Sequence, residues 1–137
     1  MPPSKSFTVF GEPVEILIPG ELTGGLSTTL IHTAFPGGGP PPHSHTREDE
    51  TFYPLEGDFE IFDGKDWHKI KPGHAAHYRR GAVHTFRNAG STTGRILIFV
   101  APAGLDKYLE EISILTVPQD MDKVIAISAR YGITFQT

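Results

Sequence analysis

An all-β sandwich or barrel followed by two helices is the fold class this sequence predicts. Three observations carry the prediction. Fifteen glycines and twelve prolines cut the 137 residues into short pieces. Between those breaks lie short runs of β-branched and aromatic residues, the pattern of strands joined by turns. Only after Pro102 does the apolar spacing lengthen to that of a helix.

The elements follow in order. Phe7–Phe10 reads as a first strand ended by Gly11, and Val14–Ile18 as a second, stopped by Pro19-Gly20. Leu26–Phe35 is a longer strand with Leu26, Thr28, Leu30, His32 and Ala34 on one face. His32 is expected to be a barrel-wall histidine hydrogen-bonded to a neighbour, or to reach a pocket. The run from Gly37 to Pro42 has three prolines without N–H donors and no helix behind it, so it is a connector and not a phosphate loop. Glu50–Leu55 is a strand in which Pro54 marks an edge or a bulge. Phe59–Phe62 returns after Glu56-Gly57, and Asp63-Gly64 signals a hairpin into Asp66–Ile70. His68 and Trp67 are expected at the surface and in packing, respectively. His74–Tyr78 and Val83–Asn88 are strands, the second with His84, Phe86 and Asn88 on one face. Asn88 is expected to tie off a turn. Arg95–Ala101 is a buried apolar strand. Leu105, Tyr108, Leu109 and Ile112 then recur at helical spacing. A second helix opens near Pro118 and runs to Arg130, with Met121, Val124, Ile125 and Ser128 inward and Gly132 as its cap.

Length and charge bound the rest. A chain of this size makes one domain and buries roughly two-thirds of its unfolded surface. One domain over residues 1–137 is expected, with the barrel over about 7–101 and the helical segment over about 104–131. The net charge is −4 and the 12 basic residues are scattered, which gives no footprint for nucleic acid. With no cysteine, disulfide and thiolate chemistry are excluded. No apolar signal segment opens the sequence, and the apolar run Ile96–Ala101 is too short to span a bilayer. A cytoplasmic location away from membranes is the expectation.

The chemistry concentrates in residues 37–57. His43 and His45 are two apart, so on a strand both rings share a face. Glu50 lies five further on, an odd step that would point it the other way. Residues 46–49 must therefore turn or bulge if Glu50 is to join them. His84 offers a fourth ligand. Three imidazoles and one carboxylate suit one divalent transition metal: Fe, Mn, Co, Ni, Cu or Zn.

The spacing Gly37, His43-x-His45, Glu50, Gly57, then Gly73, Gly81, His84, Asn88 resembles the two sequence boxes of the cupin family, with Arg79 where the family has proline. Pro102–Glu111 and Tyr131–Phe135 resemble the ending of short quercetin 2,3-dioxygenase-like cupins, so the resemblance covers nearly the whole chain. It implies a cupin-type double-stranded β-helix, a jelly-roll barrel with two C-terminal helices packed outside. It implies a metal on His43, His45, Glu50 and His84, with Glu50 also the catalytic base. Dioxygen would be the co-substrate, and a small enolic or phenolic compound the substrate. Phe52, Phe59 and Phe86 are expected to wall its pocket or to be ordinary barrel core. A homodimer pairing the N-terminal strands is expected. A non-catalytic metal- or ligand-binding module and a sugar or keto-acid isomerase are the alternatives; the isomerase would need cationic pocket residues, for which Arg79 and Arg87 are the candidates.

Overall fold

The structure is a computed structural model and describes residues 3–136. Eleven strands and two α-helices occur among them: β1 Lys5–Val9, β2 Glu12–Ile18, β3 Thr28–Ala34, β4 His43–His45, β5 Asp49–Glu56, β6 Phe59–Phe62, β7 Trp67–Ile70, β8 Ala76–Tyr78, β9 Thr85–Asn88, β10 Gly94–Ala101, α1 Leu105–Ile112, α2 Met121–Arg130 and β11 Ile133–Phe135. One sheet has the order β1-β2-β3-β10-β5-β8, with every neighbour antiparallel. The other face is built from β7-β6-β9 and β11-β4. These two pieces are joined by a single bridge between His43 and His84, with N–H···O distances of 3.0 and 2.9 Å. The result is the expected jelly roll with two helices after the barrel.

Period-two alternation places the core. Val14 and Ile16 of β2, Leu30 and His32 of β3, Phe52 and Pro54 of β5, and Ile96, Ile98 and Val100 of β10 turn inward. Phe59, Ile61 and Phe86 face them from the other sheet. Pro54 is tolerated because the β5–β10 register shifts beside it and β8 covers only Glu50–Phe52. Asn88 ties off its turn: its side-chain N–H groups donate to Ala34 O and Thr92 O, and its Oδ1 accepts from Gly90 N. α1 is pinned against the barrel by buried Asp106, which accepts from Gly20 N and Thr28 Oγ1 at 3.1 Å each. No helix among the described residues is long and apolar enough to cross a membrane.

Four expectations shift. Leu26 lies before β3 and is 75% exposed, so the inward face begins at Thr28. Ile125 is exposed on α2, where Val124, Ser128 and the half-buried Ile127 take the inner side. The strand through His84 begins only at Thr85. β11 forms where the sequence shows only the family-like ending Tyr131–Phe135.

Phe59 is core. Its ring meets Phe86 edge-on at 6.0 Å, and a Cβ on Gly94 would stand 2.8 Å from it. Phe59→Ala should cost about 3–5 kcal/mol in urea denaturation while leaving metal stoichiometry unchanged. A loss of metal equal to the loss of stability would move Phe59 into the site.

Candidate metal centre

Backbone pairing sets the site before any ion is considered. His43 of β4 and His84, just before β9, are direct partners across an isolated bridge, and His45 follows two residues on along the same face. Glu50 comes from the opposite sheet, on β5. The odd step from His45 to Glu50 is thus resolved by residues 46–48, which carry the chain from one sheet to the other. One ligand atom from each of the four residues lies within 4.8 Å of all the others. β11 holds β4 from the side as its antiparallel neighbour, with Ile133 opposite His45 and Phe135 opposite His43.

The outer nitrogens are already occupied. Nδ1 of His43 is 2.7 Å from Pro41 O, and Nδ1 of His84 is 3.1 Å from Ala82 O. A carbonyl can only accept, so both rings carry their neutral proton on Nδ1 and turn the Nε2 lone pair inward. Nδ1 of His45 meets the buried Glu48 carboxylate at 3.0 Å. Tyr78 stacks on His84 at 5.0 Å and 16°. Arg79 leaves the following turn intact: Ala82 N–H donates to Arg79 O, and Gly81 N–H donates to His45 O.

The inner atoms satisfy one another only in part: His84 Nε2 and Glu50 Oε2 are in contact at a long 3.4 Å. His45 Nε2 and Glu50 Oε1 are 2.7 Å apart, yet both are buried without a properly directed hydrogen bond. Proximity without direction is electrostatic attraction only, so the orphaned lone pairs say more about the site than the short distance does. Buried, unpartnered donor atoms converging on one point fit a cation.

Charge in the metal-free site follows from burial and neighbours. Burial disfavours a charged His43 and, with His45 beside it, lowers its pKa to about 4. Burial also opposes charge on His45, but Glu50 and Glu48 outweigh it and raise the pKa to about 9. Burial pushes Glu50 toward its neutral form, and the His45 charge overrides it, holding the carboxyl well below the usual range. The signs predict the stability of metal-stripped protein. The His45 contribution is complete below its ordinary 6.5 and is lost as pH rises toward 9. His43 works the other way: between 6.5 and 4 the unfolded chain binds a proton that the native ring refuses, so stability falls with pH. Glu50 adds to the acid-side loss once pH drops below its ordinary 4.5. Urea titrations in chelator should show a maximum near pH 6.5, and a flat profile from 4.5 to 9 would contradict this. Metal uptake at neutral pH should release about one proton, from His45.

The site opens on a cavity of about 70 Å³ whose lining includes His43, His45, Glu50, Phe52, Phe86 and Ile98. Phe52 and Phe86 are among its lining residues, whereas Phe59 is not and packs against Phe86. Phe10 and Phe135, which meet edge-on at 6.3 Å, also line it and were not anticipated. Neither was Glu48. Among the remaining histidines, His68 is exposed and paired with Asp63 at 2.7 Å, and His77 is exposed and bonded to Thr51 at 2.9 Å.

A β-barrel with three histidines and a glutamate at one end defines a class, and comparison with known proteins agrees. The Cupin_2 family model, described as a cupin domain, matches residues 31–100, just over half of the chain. The chain belongs to the cupin family. It is 38% identical over 85 residues to germin-like protein subfamily 2 member 2 of Arabidopsis thaliana; the match takes in 58% of this chain and spans only 38% of that relative. Among solved structures it resembles a predicted oxalate decarboxylase from Thermotoga maritima, with TM-score 0.63, 23% identity and coverage of 73% of this chain and 92% of that one. The polyketide cyclase RemF from Streptomyces resistomycificus gives 0.62 and 24%, covering 74% and 75%. At these identities the likeness shows the fold alone.

Proposed function

We propose that the protein is a metal-dependent dioxygenase acting on a small, flat enolic or phenolic compound, with flavonols the first class to try. One observation carries the reading: of the four residues whose ligand atoms converge, His43, His45 and Glu50 line a cavity walled mostly by aliphatic and aromatic side chains. His43, His45, Glu50 and His84 would hold one divalent transition metal. Bound there, such an ion acts as a Lewis acid that raises the acidity of an enol or phenol and supports reaction with dioxygen. Phe52 and Phe86 press the substrate ring flat and keep water out. Glu50 Oε1, which has no hydrogen-bond partner, takes the substrate hydroxyl proton. Glu48 and the Pro41 and Ala82 carbonyls hold the three imidazoles in place meanwhile.

The isomerase alternative needs cationic groups in the pocket. Arg87 instead bonds Glu60 at the surface and lies 3.8 Å over the Trp67 ring, and Arg79 is exposed. Neither lines the cavity. A homodimer belongs to the same proposal. β1 is the outer strand of the six-stranded sheet, and an edge unpaired among the described residues invites a second copy. Light scattering giving a monomer mass at micromolar concentration would remove it.

The activity is tested with an oxygen electrode, using protein reconstituted separately with Fe, Mn, Co, Ni, Cu and Zn. At least one form should consume oxygen with a flavonol or a diketone. Tight binding without oxygen uptake in any form would leave a binding module instead.

A further inference from the structure

Three rows of side chains cross β5, β10 and β3 in register: Glu50–Val100–Thr28, Phe52–Ile98–Leu30 and Pro54–Ile96–His32. The first row begins in the metal centre. The middle row is entirely apolar, and all three of its side chains line the cavity. The third row brings His32 to the same cavity. From the Glu50 row to the His32 row is four residues, about 13 Å along the strand direction. The cavity therefore has a polar group at each end and hydrocarbon between them.

His32 is held by a partner that sets its chemistry. Its Nε2 lies 2.8 Å from Glu12 Oε1, and Glu12 Oε2 accepts the Phe35 N–H at 2.7 Å. Both residues are 6% exposed. A carboxylate accepting on both oxygens fixes the proton of the neutral ring on Nε2. Nδ1 is then an acceptor, and it has no hydrogen-bond partner among the described residues. Gly38 passes so close to the Glu12 carboxylate that any side chain there would displace it. Phe86 meets the His32 ring edge-on at 5.0 Å and holds its plane.

We propose that His32, oriented by Glu12, is a second substrate contact, whose Nδ1 accepts a hydrogen bond from a hydroxyl at the end of an aromatic substrate remote from His43, His45, Glu50 and His84. The assignment rests on the aromatic-substrate reading and narrows it to compounds carrying a far hydroxyl.

The test is anaerobic titration calorimetry of metal-loaded protein with 3-hydroxyflavone and with its 4′-hydroxy derivative. Wild type should bind the derivative about tenfold more tightly, the worth of one well-made hydrogen bond. His32→Leu strands the Glu12 carboxylate and endangers folding, so Glu12→Gln carries the decision. With the oxygen of the new amide turned toward Phe35 N–H, the amide N–H faces His32 Nε2 and drives the ring proton to Nδ1. Nδ1–H can still donate to the phenol oxygen, which accepts less well than the hydroxyl donates, so the preference for the hydroxyl should fall at least about threefold while 3-hydroxyflavone affinity stays within about twofold, as a neutral amide preserves the packing. A purely structural pair would lower both affinities together, which overturns the assignment. Equal binding of the two ligands to wild type, or a preference undiminished in Glu12→Gln, also overturns it and leaves the dioxygenase reading standing. Binding of neither ligand to wild type removes the aromatic-substrate reading and this assignment with it.

Discussion

His84→Ala should take the metal content of purified protein from about one ion per chain to nearly none. His84 supplies one of four converging atoms, is 2% exposed, and pairs through its backbone with His43. Removing its ring takes away one lone pair and opens the inner face to water. It also leaves Phe52 and Tyr78 without the ring they pack on, at 5.5 and 5.0 Å. Backbone pairing with His43 does not depend on the side chain, so the fold should survive. His68→Ala is the control: that ring is exposed and paired only with Asp63, and its loss should leave the metal content unchanged. Elemental analysis of both variants decides the matter. Equal losses would mean that surface histidines collect metal nonspecifically.

Glu50→Gln should separate binding from turnover. The amide oxygen can still approach the ion but cannot take a proton. Loss of a positioned general base costs typically 10²- to 10⁴-fold. The variant should therefore bind a flavonol with wild-type-like affinity when supplied with metal and consume oxygen at least about 100-fold more slowly. Oxygen uptake at matched metal content is the measurement. Wild-type turnover in the variant would leave Glu50 a ligand only and move the proton to another acceptor.

Much of this was legible in the residues. The odd spacing between His45 and Glu50 required a break in the strand, and the break turned out to be the passage between sheets. His32 was expected to bond to a neighbour or to reach a pocket, and it does both. His68 lies where alternation with Trp67 and Lys69 put it. What stayed hidden depended on distant partners. β11 is only Ile133-Thr134-Phe135, too short to show a period, and its role comes from pairing with β4 some 90 residues earlier in the chain. Glu48 reads only as part of a run that must turn or bulge, because nothing local says that its carboxylate meets His45 Nδ1. Phe59 and Phe52 alternate alike within their strands, and only the packing of two sheets decides which lines the cavity and which does not. Ile125 shares its helical stripe with Val124, and a modest rotation of α2 leaves it in solvent.

The central claim is that three imidazoles and one carboxylate of this chain close on one metal ion. X-ray absorption spectroscopy of the singly loaded protein tests it most directly. About three imidazole nitrogens at roughly 2.0–2.2 Å are expected, with oxygen completing the shell. The imidazole count should fall by one in any His84→Ala protein that still takes up metal. A shell of oxygen ligands with one imidazole or none would contradict it.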